Sequence, residues 1–246
     1  MKTAADGIVI WEVKTGEADR VITLLTPGGL VTAYARGSLK PGGRLTGTTA
    51  MLSYSNFELA SGKNMYTVTD ATSQNRFLRI YAQADKYSLA VYFCELMRYL
   101  APTEEDSAAF LSLLLNSLYL LDGDLKPAWQ IKAVFELALM TLAGYMPDVD
   151  SCAKCGNDVS SGGVFFDPLG AVWVCSDCLQ KEGRAANYPF AVIAAVRYVV
   201  HSDTRKAFSF SLSGDAQKLF SRLSEEYVLA HLERKPKTLE FYNMIQ

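Results

Sequence analysis

The chain has 246 residues, half of them hydrophobic and a fifth charged, with a net charge of −2. That length can bury a core without covalent staples, the near-neutral balance gives no global pull toward nucleic acid or anionic lipid, and no apolar run approaches the roughly 18 to 20 residues a bilayer demands. The short run from Ile8 to Trp11, set between Asp6 and Glu12, lacks the form of a secretory signal, so the expectation is a cytoplasmic protein with reduced thiols and no membrane partner.

Up to about residue 70, β-branched and aromatic runs alternate with turn residues: GIVIWEV, RVITLLT, LVTAYAR, MLSYSNFELA and MYTVTD, separated by TGEAD, PGG, GSLKPGGRLTG and SGKN. Five strands at this spacing suit a small barrel, and the partly open five-stranded OB-fold fits their number and length. In MLSYSNFELA the apolar parity changes from Leu52 and Tyr54 to Phe57 and Leu59, which predicts a bulge. From about residue 80 the period becomes helical. Tyr87, Ala90, Val91, Cys94, Met97 and Leu100 mark one helix ended near Pro102, and Phe110, Leu113, Leu114, Ser117, Leu118 and Leu121 a second ended by Asp122 and Gly123. A third opens at Lys126 and Pro127 and runs through WQIKAVFELALMTLAGY, and YPFAVIAAVRYVV and DAQKLFSRLSEEYVLAHLE supply two more. The expected architecture is an α+β multidomain chain: an OB-fold domain over 1–80 and a helical bundle over 81–246, with an insertion at 148–186.

That insertion carries Cys152, Cys155, Cys175 and Cys178, two C-x-x-C pairs with nineteen residues between them. Sulfurs at i and i+3 on a tight turn can face one ion, and two such turns close a tetrahedron around Zn²⁺. Between the pairs, VFFDPLGAVWV reads as a hairpin turning at Asp167 to Gly170, so the segment is expected to be a zinc ribbon. Four protein ligands leave no open position for water, which makes the ion structural. A redox dithiol is the rival reading of one pair, and Cys94 on an apolar helical face reads as an inert core residue.

The stretch GIVIWEVKTGEADRVITLLTPGGLVTAYARGSLKPGGRL resembles the start of the RecO family of bacterial recombination and repair proteins, and LAGYMPDVDSCAKCG and AVWVCSDC resemble the family's two cysteine pairs. The resemblance implies an N-terminal OB-fold, a helical domain interrupted by a zinc ribbon, and no catalytic turnover. It also implies binding of single- and double-stranded DNA, annealing of complementary strands, work with RecR, and action on DNA covered by single-stranded-DNA-binding protein (SSB), helping RecA load. Two rival functions are a protein-binding ribbon adaptor, which would show no DNA binding at any salt, and a Mg²⁺-dependent nuclease, which EDTA would silence.

Charge is unevenly spread: residues 1–80 carry nine Lys and Arg against six Asp and Glu, residues 81–150 four against ten, and residues 151–246 eleven against ten. DNA contact is therefore expected in the first segment. Arg36, Lys40 and Arg44 recur at intervals of four in a Gly- and Pro-rich loop, where long cations can reach phosphates. Arg20 and Lys14 are further candidates, although Glu17 and Asp19 take up part of the field of Arg20. Tyr34, Tyr54, Phe57 and Tyr66 are candidate base platforms, about half of them pointing inward. Arg197, Arg205 and Lys206 are candidate contacts for an acidic partner. His201 and His231 read as helix-end residues, and Glu104, Glu105 and Asp106 as a helix start in its favourable dipole field.

Overall fold

A computed structural model describes residues 2–63, 65–159 and 162–245; Asn64 of the SGKN turn lies outside the described residues. Five strands come first: β1 (Lys2–Thr15), β2 (Asp19–Thr26), β3 (Gly29–Ala35), β4 (Tyr54–Ala60) and β5 (Tyr66–Asn75). Four helices follow, α1 (Leu78–Tyr81), α2 (Ala84–Leu100), α3 (Ala108–Asp122) and α4 (Ala128–Leu142). The rest of the chain is β6 (Asp148–Cys152), β7 (Val164–Asp167), β8 (Val172–Cys175), α5 (Ser176–Lys181), α6 (Phe190–His201), α7 (Asp215–His231) and α8 (Lys237–Ile245).

The first five strands close into a barrel in the order β1-β2-β3-β5-β4, with β3 and β5 parallel and the other pairs antiparallel, which is the OB arrangement. β1 serves two neighbours: its first half pairs with β4, its second with β2, and a register shift between Val9 and Trp11 lets the strand bend from one to the other. The barrel core is Val9, Ile22, Leu24, Ala33, Ala35, Phe57, Leu59, Val68 and Ala71. The bulge expected from the parity change in MLSYSNFELA is present, together with a turn ahead of the strand. Leu52 is buried in a left-handed turn (φ 61°) before β4 begins, and the β4–β5 register shifts at Tyr54/Ser55 and again at Glu58/Leu59.

Contacts divide the chain into two units, residues 1–125 with 236–246, and residues 126–235. In the first, α2 and α3 join the barrel because the β2–β3 turn is sewn to the α2–α3 connection. Leu30 N–H donates to Pro102 O (3.0 Å) and Ser107 N–H to Pro27 O (2.7 Å). Gly29, with φ 110°, lies so close that an added Cβ would fall 2.5 Å from Thr103 O. Asp106 accepts the Ala108 N–H at 3.0 Å, so one of the three expected carboxylates does open α3. α2 is buried on several sides, against β1, α1, α3 and α8, and Glu95 accepts the N–H and hydroxyl of Thr238 to hold α8. The sequence reading contains neither α8 nor the short α1 and α5.

In the second unit α4 is buried from Gln130 to Met140, as an all-round apolar helix must be, and packs on α6 and α7. Its two internal charges are paired: Lys132 Nζ lies 2.7 Å from Glu136 and 2.8 Å from Glu225 of α7, and Ser224 donates to Glu136 at 2.7 Å. β7 and β8 form the expected hairpin, and β6 adds a parallel third strand beside β8.

Candidate nucleic-acid interface and metal centre

Residues 36–53, between β3 and β4, form a chain of tight turns rather than a loose loop. Lys40 N–H donates to Gly37 O, Gly43 N–H to Lys40 O and Thr46 N–H to Gly43 O, at 2.9 to 3.1 Å. Gly37 takes the left-handed φ of 69° that such a turn needs and that a side chain would resist. The loop is anchored by Leu45, which drops into the barrel core, while its neighbour Arg44 points out.

The β1–β2 hairpin stitches this loop down. Asp19 accepts the Gly37 N–H at 2.6 Å and the Tyr34 hydroxyl, and Leu39 N–H donates to Ala18 O at 2.8 Å. The Gly37 amide, the Tyr34 hydroxyl and the nearby charges of Arg36 and Lys40 hold the Asp19 carboxyl below the usual carboxylate range despite some desolvation. Glu12 accepts the Met51 N–H at 3.0 Å. Arg20 lies beneath the loop with only 11% of its side chain exposed; its Nη1 donates to Ser38 O (3.3 Å), Thr46 O (3.2 Å) and Thr49 Oγ1 (3.4 Å). Its Nε is 3.4 Å from Glu12, an ion pair by distance.

The five cations singled out in the sequence thus part company. Arg36, Lys40 and Lys14 are exposed, and among the described residues their side chains form no ion pair or hydrogen bond. Arg44 is 66% exposed but pairs with Asp70 (3.1 Å) and donates to Thr69 O (2.7 Å), which ties the loop to β5. Arg20 is turned inward by the contacts above: Nη1 serves two main-chain carbonyls and a hydroxyl, while the buried Nε has no hydrogen-bond partner and faces Glu12 as an ion pair only. The sequence reading misses Arg76, an exposed residue after β5 whose guanidinium lies over Gly47, where an added Cβ would come within 3.3 Å of it. Of the candidate platforms, Phe57 is core, Tyr54 and Tyr34 are half-buried and Tyr66 is exposed. Trp11, also missed, is 39% exposed on the barrel with the Arg98 guanidinium 3.9 Å from its ring centre. Alternation alone does not reveal it, because the shift in β1 changes which side its residues face.

In the second unit the four sulfurs of Cys152, Cys155, Cys175 and Cys178 lie within 4.8 Å of one another. A tetrahedral ion with metal–sulfur bonds of about 2.3 Å sets its sulfurs about 3.8 Å apart, and Cys155 and Cys175 stand at 3.8 Å. The first knuckle is closed by Gly156 N–H donating to Cys152 O at 2.8 Å, with Gly156 at φ 71°. The second opens into α5, which carries Cys178. Burial opposes ionisation of Cys152, yet the amides of Cys175, Cys155 and Lys154 turned on its sulfur bring that thiol down to about 6. Cys178, sharing a hydrogen bond with Cys175, is pushed up to about 12. A cation placed among the four favours every thiolate at once. The donors and their spacing fit such an ion.

Arg197 of α6 grips the ribbon, donating to Val149 O (2.6 Å), Val159 O (2.9 Å), Asp150 O (2.8 Å) and Asp158 Oδ1 (2.8 Å). One turn on, His201 meets Asp150 at 3.0 Å, and His231 Nδ1 meets Tyr227 O at 2.9 Å at the end of α7. On the other side Phe166 stacks on buried Trp173 (4.3 Å) and reaches Tyr227 of α7 (5.8 Å). Arg205 and Lys206 lie in the turn after α6, exposed, with Lys206 3.6 Å from Asp203. No helix among the described residues is long and apolar enough to cross a membrane.

Comparison with known proteins agrees with this layout. A family model described as recombination protein O N terminal matches residues 1–77, and one described as recombination protein O C terminal matches residues 82–240. A DNA repair protein RecO of Acetivibrio thermocellus is 34% identical over 236 residues, covering 96% of this chain and 94% of that one. RecO proteins of Symbiobacterium thermophilum (30% over 245 residues, 98% and 96% covered) and Dehalococcoides mccartyi (29% over 235 residues, 94% and 91% covered) are similar along the same length. With both family models in order and a barrel, helices and cysteine quartet arranged as described, the chain belongs to the RecO family of DNA repair proteins.

Proposed function

We propose that this protein is a non-enzymatic, cytoplasmic recombination mediator that binds single- and double-stranded DNA through the barrel loop. Its fingers on the phosphate backbone are Arg36, Lys40 and Arg44, with Lys14 at the flank and Arg76 as an added contact. The observation that carries this reading is the loop itself: three exposed cations, of which Arg36 and Lys40 form no ion pair or hydrogen bond among the described residues, displayed on a run of hydrogen-bonded turns between two strands of an OB barrel. A surface that neutralises phosphates lowers the repulsion between two strands and keeps both nearby, so pairing accelerates without any bond being made or broken. Work with RecR, action on SSB-covered DNA and help in loading RecA follow from the family as the roles of the assembled surface. Trp11, with Arg98 over it, is suited to stack an unpaired base beside that backbone track.

The bound ion is Zn²⁺, held by Cys152, Cys155, Cys175 and Cys178 in a structural site. The all-sulfur donor set supports zinc over the oxygen-seeking Mg²⁺ or Ca²⁺. The test is a fluorescence titration with a labelled thymidine oligonucleotide at rising salt, paired with an annealing assay lacking ATP and Mg²⁺. Affinity that falls with salt and faster annealing support the mediator; no binding at low salt points to a protein-only adaptor.

A further inference from the structure

We infer that Arg20 is a positioning residue: with Glu12 and Asp19 it sets DNA affinity by holding Arg36, Lys40 and Arg44 in one arrangement, without touching phosphate. This rests on the reading of the loop as the DNA contact. Three observations carry it. First, the guanidinium is enclosed, with an 11% exposed side chain, and its Nη1 is aimed at Ser38 O, Thr46 O and Thr49 Oγ1 while Nε faces Glu12. A phosphate reaching it would have to displace the loop that is supposed to do the binding. Second, those acceptors lie in two separate turns, on either side of Lys40 and Arg44, so one side chain fixes both ends of the cation-bearing segment. Third, the remaining anchors converge on the same place: Asp19 on Gly37, Ala18 on Leu39 and Glu12 on Met51.

The physical consequence is preorganisation. A loose loop of this size must give up conformational freedom when it settles on a strand, and that cost lowers affinity at every ionic strength. The count of phosphates neutralised is unchanged as long as the cations remain. Contact and positioning therefore leave different marks on a plot of log affinity against log salt. Loss of a contacting cation lowers the slope by about 0.7 for single-stranded DNA. Loss of a positioning residue lowers the line and leaves its slope alone.

Five variants of the full-length protein, Arg36→Ala, Lys40→Ala, Arg20→Ala, Arg20→Lys and Glu12→Ala, are titrated with a thymidine oligonucleotide across salt, with melting curves confirming the fold. Arg20→Lys keeps the charge but replaces the planar guanidinium, which places Nη1 among the loop acceptors and Nε beside Glu12 at once, with one flexible ammonium. It should bind about five- to tenfold more weakly at each salt with the native slope, the loss of one to two modest hydrogen bonds. Glu12→Ala removes a negative charge and simple electrostatics makes it bind more tightly; positioning makes it bind more weakly. Should Arg20→Lys bind like the native protein, should Glu12→Ala bind more tightly, or should Arg20→Ala lower the slope by a full contact, the inference is overturned. If Arg36→Ala and Lys40→Ala leave the slope unchanged, the loop is not the contact at all, and the reading beneath the inference fails separately.

Discussion

The barrel loop and the cysteine ribbon are held by the same device and differ in what they leave over. In each, one arginine from a regular element donates to main-chain carbonyls of a neighbouring segment: Arg20 of β2 to Ser38 and Thr46, Arg197 of α6 to Val149 and Asp150 of β6 and to Val159 beyond it. Around the loop, Arg44 meets Asp70, whereas Arg36 and Lys40 are exposed and form no ion pair or hydrogen bond among the described residues. Around the ribbon, most cations meet local acids: Lys154 and Arg184 share Glu182, Arg197 has Asp158 and His201 has Asp150, while Lys181 is exposed without an ion pair among the described residues. Stabilising an irregular segment and presenting charge are thus separate tasks. A segment most of whose cations are answered internally braces the scaffold, and one that leaves exposed cations such as Arg36 and Lys40 without an ion pair is available to an external polyanion.

The sharpest way to break this contrast is to remove one sulfur of the cysteine quartet. Cys175→Ser should cost on the order of 4 kcal/mol, seen as a fall in melting temperature of about 10 °C, because ion binding is folding energy for such a site. The salt slope of DNA binding should stay native below the new melting point. Next in size, replacing Arg36, Lys40 and Arg44 together with Ala should lower the salt slope by about 2 for single-stranded DNA and weaken binding at least tenfold at moderate salt. Melting should shift by no more than about 2 °C, since the ion pair of Arg44 with Asp70 is largely exposed. Arg197→Ala should cost about 2 kcal/mol, a drop of about 4 to 8 °C by calorimetry, with DNA binding unaffected.

The smallest effect concerns acid. The folded Asp19 carboxyl is held below its unfolded value, so its tie to Gly37 is fully present above the unfolded value near pH 4 and is lost as pH falls through the lower folded one. The Gly37 amide signal in NMR spectra should therefore stay constant from pH 8 down to about 5 and move only below about 4. A shift between pH 5 and 7 would mean that the loop is anchored by something other than Asp19.

Much of this contrast is legible in the sequence because much of it is local. Turn residues between alternating runs reveal the strands, and two C-x-x-C knuckles carry their own geometry within four residues each. The β3–β5 pairing that closes the barrel is long-range, yet five strands of this length leave few other ways to close. What sequence periodicity does not carry is the partner of a polar side chain. Arg20 looks like one more surface cation beside Glu17 and Asp19, and only the fold brings Ser38 and Thr46, 18 and 26 residues away, onto its donors. Arg76 becomes part of the loop surface for the same reason, through Gly47. α8 escapes because nine residues hold little more than two turns of pattern, and its docking depends on Glu95, 143 residues earlier in the chain.

The central claim is that the loop, not the ribbon, meets the phosphate backbone. It is tested most directly by measuring the salt slope of binding to one thymidine oligonucleotide for the native protein, the Arg36/Lys40/Arg44 triple-alanine variant and Cys175→Ser, side by side below their melting temperatures. The account predicts a slope lower by about 2 for the first variant and a native slope for the second. A native slope for the triple variant, or a reduced one for Cys175→Ser, would contradict it.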